Sequence, residues 1–143
     1  RNLYFTTFYC FELADIAHRS LFRSKIDLLV ASEFNKDVDY FSSIIESTAR
    51  DLNTVVAQVN SSQFGDNRIR RPAKSHHKNL ARVDGGDNDL VIISKIDFKE
   101  IREHQIKKYV LQKEDKIYKP SPPNFDVKFV KKRIRGEWIL RND

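Results

Sequence analysis

The chain has 143 residues and contains a single cysteine, no methionine, one tryptophan, four glycines and four prolines. One cysteine excludes an internal disulfide, so we expect a reducing compartment and a cytoplasmic protein. No apolar stretch approaches the roughly 20 residues of a membrane span, and Arg1-Asn2-Leu3 does not resemble a secretory signal, so we expect no membrane association. Because the chain starts on an apolar run and lacks methionine, we expect an internal piece of a longer protein.

Charge is distributed unevenly along the chain. Basic and acidic residues are balanced up to residue 105, and after it Lys and Arg outnumber Asp and Glu by 11 to 5, which accounts for the whole net charge of +6. A second basic cluster, without acids, lies within residues 68–82. Because partners meet local patches rather than net charge, these two segments are the candidate polyanion-binding surfaces.

The cysteine follows an aromatic and β-branched run, 3–9, which predicts a buried strand. After Cys10, apolar residues recur at helical spacing and predict a helix over about 12–24, with Glu12 and Asp15 in its first turn. Backbone N–H groups at such a junction favour a thiolate and the oxyanion that forms when it attacks a carbonyl. The alternative, a cysteine that serves only as a small buried apolar residue, stays open on position alone.

The remaining pattern alternates strands and helices, which predicts an α/β fold with a largely parallel sheet. We predict strands at 26–32, 54–60 and 90–96, helices at 39–52 and from Asp97 onward, and an extended basic arm over 109–143 with a strand at 127–134. Prolines 120, 122 and 123 break any helix between these parts. We expect this arm to contact something outside a core domain of residues 1–108.

In their order, these motifs resemble the C-terminal half of a carbon–nitrogen hydrolase (nitrilase superfamily) domain. The resemblance is carried by Tyr9-Cys10-Phe11-Glu12, Ala14-Asp15, Arg19, Ile26-Asp27-Leu28-Leu29-Val30, Ala49-Arg50-Asp51-Leu52-Asn53 and the segments 55–60, 62–69 and 90–106. The chain departs from the family pattern at Leu52, where an acid is expected, and at Ala49, where arginine is expected.

The resemblance implies an αββα sandwich that forms homo-oligomers, and a Cys thiolate that cleaves a small amide or nitrile through an acyl-enzyme. It implies that Cys10 is the nucleophile and that the Phe11 backbone N–H contributes to the oxyanion site. Glu12 either orients substrate or water near Cys10 or is a solvated first-turn acid. The family's general base, a Glu, and its Lys lie upstream of the cysteine, so either another part of the parent protein supplies them or the domain is a non-catalytic scaffold.

The basic arm suggests a second class of function. Lys128, Lys131, Lys132, Arg133 and Arg135 alternate with apolar residues, so an extended arm would direct cations at nucleic-acid phosphates. The alternatives are a solubilising face and a surface for an acidic partner. Nitrilase-like domains also occur fused to larger bacterial proteins such as defence-associated reverse transcriptases, a context in which nucleic acid would be a partner. No cofactor is expected, and adjacent His76 and His77 without spaced partners do not predict a metal site.

Overall fold

The computed structural model of the protein describes residues 2–86 and 89–139. Its elements are strands β1 (Phe5–Tyr9), β2 (Leu28–Ser32), β3 (Val55–Val59), β4 (Asn67–Arg70) and β5 (Asn79–Val83), helices α1 (Ile16–Ser20), α2 (Val38–Leu52), α3 (Phe98–Ile106), α4 (Tyr109–Glu114) and α5 (Val127–Arg135), and 3-10 helices Cys10–Ala14 and Ser75–His77. The predicted α/β class is confirmed.

The five strands form one sheet in the order β1-β2-β3-β4-β5. The first three strands are parallel, and β4 and β5 continue the sheet antiparallel. Both parallel crossovers cover the same face, because residues of the 3-10 helix Cys10–Ala14 and of α2 share one apolar cluster. Tyr9, Ser32 and Val59 are register partners, so the ends of β1, β2 and β3 form one carboxyl edge.

Helix α2 forms where its amphipathic pattern predicts it. Phe41, Ile44 and Ile45 are buried against the sheet and lie on one helical stripe. The Asp37 side chain accepts a hydrogen bond from Tyr40 N at the start of the helix, as an N-cap residue does. This helix and the strands beside it fix the position of the carboxyl edge.

The opposite face of the sheet is only partly covered. Val55, Ala73, Ile101 and Tyr118 form a second apolar cluster there. The prediction of a strand at 90–96 is wrong: this segment is extended but pairs with no strand among the described residues, and Val91 and Ile93 are exposed. A strand requires hydrogen-bonding partners, and the local sequence pattern carries no information about them.

The prediction of an extended C-terminal arm is also wrong for the described part, which ends at residue 139. Residues 127–135 form α5, and Phe129, Val130 and Arg133 on one side of it are buried. The Asp126 side chain accepts from Lys128 N at the start, and Gly136 ends the helix in the left-handed conformation with φ of 75°. The segment therefore packs on the sheet domain, and residues 140–143 lie outside the described part.

The first predicted helix, 12–24, is interrupted. Asp15 has an extended backbone, and its side chain accepts from His18 N, so it ends one helix and caps the next. Strand β5 and helix α4 were not predicted. Within the described residues, no helix is both long and apolar enough to cross a membrane.

Candidate thiol site at the carboxyl edge of the sheet

Cys10 lies where the sequence predicts a junction. Strand β1 ends at Tyr9 and the 3-10 helix begins with Cys10, which is half-buried and contacts the apolar cluster on the α2 side. The helix has five residues rather than the predicted thirteen or so, so its dipole is a weaker source of positive potential than expected. Groups that stabilise negative charge on the sulfur must therefore come mainly from side chains beside the neighbouring strands.

Asn35, which follows β2, makes a polar contact with the thiol. Its Nδ2 donates to Cys10 Sγ at 3.2 Å. Asn35 is held in turn by Asn60: Asn35 N donates to Asn60 Oδ1 at 3.0 Å, and Asn60 Nδ2 donates to Asn35 O at 2.9 Å. A positioned N–H donor at a sulfur stabilises negative charge on it. Sequence analysis missed both asparagines, although each is a polar residue just beyond a buried strand.

The loop after β3 keeps Asn60 in place. Asn60 Nδ2 also donates to Gly65 O at 3.0 Å, and Asn60 N donates to Asn67 Oδ1 at 2.8 Å. Gly65 has φ of 80°, and a Cβ built there would lie 1.5 Å from Asp84 O. This position requires glycine for both reasons. Asn35 is thus held through Asn60 by the loop after β3, and this loop packs against the residue that follows β5.

Glu33 is a buried acid at the same edge that sequence analysis did not single out. Its side chain is 7% exposed, and its Oε2 accepts from Gln58 Nε2 at 3.2 Å. Glu33 Oε1 and Gln58 Oε1 have no hydrogen-bond partner among the described residues. Burial raises the pKa of the Glu33 carboxyl; Asp66 adds to this effect, and the Gln58 hydrogen bond and Arg68 oppose it. The sequence signal that could have found it is an acid directly after a buried strand.

The other predicted catalytic residues take different positions. Glu12 Oε2 accepts from Tyr9 N at 2.8 Å, so this carboxylate caps the 3-10 helix and its side chain is exposed. Phe11 is the second residue of that helix, and its side chain is 87% exposed. The structure thus keeps Cys10, Phe11 and Glu12 in one turn, with Glu12 engaged by the backbone.

One face of the sheet near this edge is apolar and exposed. Phe5 of β1 is 60% exposed, Tyr9 is 72% exposed and Val59 of β3 is 59% exposed. The register places these side chains on the face opposite α2. On the same face, β3, β4 and the segment 89–92 border a cleft of about 440 Å³. Cys10 is not among the residues that line this cleft.

The five residues predicted to bind nucleic acid lie on helix α5. The prediction for Arg133 is wrong. This residue is 1% exposed and donates to Asp27 Oδ1 and to Gln105 Oε1, so it cannot face a phosphate. Arg135 Nη2 contacts Glu137 Oε2 at 3.0 Å, and Lys128 Nζ contacts Asp126 Oδ2 at 3.4 Å. Of the five, Lys128, Lys131 and Arg135 are exposed and Lys132 is half-buried.

The second basic segment, 68–82, is not a loop, since it contains β4, the 3-10 helix Ser75–His77 and most of β5. Four of its cations have acidic partners within the fold: Arg68 pairs with Asp66, Arg70 and Lys78 with Glu46, and Arg82 with Asp66 and Asp84. Arg71 and Lys74 donate to backbone carbonyls instead. Paired cations present less positive potential to a polyanion, so this segment is a weaker candidate than its composition indicates.

No protein-family model, curated protein or solved structure matches the chain. The resemblance to carbon–nitrogen hydrolases therefore stays a prediction, and the functional argument rests on the geometry at Cys10.

Proposed function

We propose that this chain is part of a thiol hydrolase of the carbon–nitrogen hydrolase type, with Cys10 as its nucleophile. The observation that carries the proposal is the position of the thiol. Cys10 follows a parallel strand at the carboxyl edge of the sheet, and its Sγ accepts a hydrogen bond from Asn35. Asn60 orients Asn35. In open α/β sheets, ligands bind outside the carboxyl ends of the strands. A buried structural cysteine would not require an oriented amide donor.

The proposed reaction has two steps. The Cys10 thiolate adds to the carbonyl carbon of an amide, the carbon–nitrogen bond breaks, and the nitrogen leaves as an amine after it takes a proton, which produces a thioester. Water then adds to the thioester, and the carboxylic acid and the thiol are released. Asn35 stabilises the attacking sulfur before the first step and again as the thiol is released.

The exposed apolar sheet face supports the αββα part of the proposal. Tyr9 and Val59 present apolar surface beside the candidate site, and Phe5 is exposed on the same face at the start of β1. In the proposed sandwich a second sheet covers this face, from another segment of the parent protein or from another copy of the chain. The general base and the lysine that the resemblance implies would come from another segment of the parent protein.

Reactivity of the single cysteine tests the proposal. In the intact parent protein, iodoacetamide at about pH 7 should modify Cys10 faster than a free-thiol peptide, because an activated cysteine has a larger thiolate fraction. Asn35→Ala should slow this reaction about tenfold, the size of a hydrogen bond to a charged group. Gln63→Ala, which removes an exposed amide, is the matched control. Modification no faster than that of the peptide would refute the activated nucleophile.

Hydrolysis is measured separately, by release of ammonia from a panel of small amides and nitriles. Cys10→Ala should abolish release, and a mass increase equal to the acyl group should appear on the unmodified protein when substrate is in excess. Release that is unchanged in Cys10→Ala would assign the activity to another group and end the proposal.

The exposed face also favours a second candidate, a non-catalytic module that assembles a larger nucleic-acid-associated protein. In this case Cys10→Ala should retain biological function. Charge reversal at exposed Lys131 should weaken nucleic-acid binding, and the salt dependence of the binding should become less steep. The thiol hydrolase requires the opposite response to Cys10→Ala.

A further inference from the structure

Glu33 and Cys10 occupy neighbouring positions on the same side of the sheet. Tyr9 and Ser32 are register partners in adjacent parallel strands, so the residues that follow them, Cys10 and Glu33, leave the sheet at adjacent positions of its carboxyl edge. Glu33 N donates to Val59 O at 2.8 Å, which extends the pairing past the end of β2. Both side chains lie on the α2 side, since Cys10 contacts that apolar cluster and Glu33 bonds to Gln58.

The Glu33–Gln58 pair lacks one donor. Gln58 Nε2 donates to Glu33 Oε2, which leaves Glu33 Oε1 and Gln58 Oε1 as two buried acceptors without a partner among the described residues. A proton on Glu33 Oε1 would be donated to Gln58 Oε1 and would satisfy both. The result is a cyclic acid–amide pair with two hydrogen bonds.

Arg68 is the cation that favours ionised Glu33, and its effect is smaller than that of burial. On the neighbouring strands, Arg68 is bound by Asp66, and Arg82 Nε is 3.2 Å from Asp66 Oδ1. The other nearby acids are already engaged: Glu12 accepts from Tyr9 N, Asp37 accepts from Tyr40 N at the start of α2, and Glu46 of α2 pairs with Arg70 and Lys78. Burial is the largest influence on Glu33, and it raises the pKa of this carboxyl.

We propose that Glu33 carries a proton in the resting protein and forms an acid–amide pair with Gln58, which keeps the site beside Cys10 free of negative charge. This inference rests on the proposed function, because Glu33 then acts as a positioning residue that permits a thiolate at Cys10. Ionised Glu33 would place a second negative charge next to the sulfur and oppose the reactive form. Two unit charges a few ångströms apart near a protein surface change an ionisation equilibrium by about tenfold or more.

The single cysteine makes the test direct. The rate of reaction with 4,4′-dithiodipyridine, which consumes thiolate without any hydrolase substrate, is measured against pH for the wild-type protein, Glu33→Gln and Glu46→Gln. The amide introduced by Glu33→Gln mimics the neutral acid, since its N–H still donates to Gln58. Glu46→Gln is the matched control, because it removes a carboxylate that Arg70 and Lys78 already neutralise. Infrared spectra over the same pH range report the carbonyl stretch of a protonated carboxylic acid.

We expect an acid band in the wild-type protein that persists above the ordinary Glu pKa of about 4.3, is absent in Glu33→Gln and is present in Glu46→Gln. As the pH rises and this band disappears, the wild-type labelling rate should fall about tenfold or more below that of Glu33→Gln. At pH values where the band persists, the two rates should agree.

Two outcomes would overturn the inference: no acid band that depends on Glu33 above the ordinary Glu pKa of about 4.3, or a ratio of labelling rates that does not change while the band disappears. A purely structural role predicts the second of these, a constant ratio. Failure of the hydrolase proposal is seen separately, as no release of ammonia from any amide or nitrile in a protein whose labelling profile still depends on Glu33.

Discussion

Asp27 should hold the C-terminal helix on the sheet domain, and its substitution tests that arrangement. Asp27 is buried and accepts from Arg102 Nε at 2.8 Å, from Tyr4 N at 3.1 Å and from Arg133 Nη1. Burial lowers the pKa of Arg133 and the pairing with Asp27 raises it, with burial the larger effect. Asp27→Asn keeps the shape but leaves a buried guanidinium without its carboxylate.

Loss of one member of a buried ion pair costs about 3–5 kcal/mol. For a domain of this length, such a loss lowers the melting temperature by about 10 °C. Arg133→Met should cost less, about 1–2 kcal/mol, because Asp27 keeps Arg102 and the main loss is the donor to Gln105 Oε1. The double variant Asp27→Asn/Arg133→Met should be more stable than Asp27→Asn alone, because the uncompensated charge is gone.

Thermal and urea denaturation of the three variants give these free energies of unfolding. Arg135→Met on the exposed side of α5 is the control and should leave the stability nearly unchanged, because surface ion pairs contribute little. If Asp27→Asn costs no more than this control, α5 is not held by this network. Burial of Phe129 and Val130 would then be what holds the helix on the domain.

Two further predictions concern pH. Burial is the largest influence on Asp115 and opposes its ionisation, but hydrogen bonds from Tyr118 N, Ile117 N and His104 hold the pKa of Asp115 well below its ordinary value. Stability from this group is present above about pH 4 and is lost as the pH falls, so Asp115→Asn should flatten the acid limb of a stability–pH curve measured by urea denaturation. The pKa of Glu33 is raised, so its stabilising effect is complete below about pH 4 and is lost as the pH rises through the folded value. Glu33→Gln should therefore raise the urea midpoint at about pH 8 and leave it unchanged at about pH 4; the same increase at both values would contradict the assigned charge.

The part of the fold that the sequence predicted well is the part with strong local periodicity. Helix α2 has its apolar residues on one stripe, and β2 and β3 are short apolar runs between polar segments. Such patterns depend on the residues within each element, so a single sequence contains them. The end of β1 at Tyr9 was predictable for the same reason.

The C-terminal helix shows why a short pattern misleads. Lys128, Lys131 and Lys132 among apolar residues suggested alternation along a strand, but Asp126 before the segment and Gly136 after it are helix start and stop signals. These signals predict a helix, and helical spacing then places Phe129, Val130 and Arg133 together. Burial of Arg133 was beyond the sequence, since its partner Asp27 is 106 residues away.

Most of the candidate site also depends on contacts that are distant in sequence. Cys10 was predictable as a residue at the end of a strand, whereas its contact with Asn35 requires the register of β1 and β2. Asn60 and Glu33 belong to the site because β2 and β3 are adjacent and parallel. Pairing of parallel strands is set by the whole fold, and local sequence does not encode it.

The Glu33–Gln58 pair bears on whether the domain is catalytic or architectural. Burial of polar groups costs desolvation even when they bond to each other, and well-packed apolar residues of similar volume are often neutral or more stable in their place. A purely architectural domain would therefore lose nothing if apolar side chains replaced this pair. The pair instead occupies the position beside the single cysteine, at the edge of the sheet where α/β folds bind ligands. Departures from good packing concentrate at functional sites, so this arrangement favours a chemical role for Cys10 over a structural one.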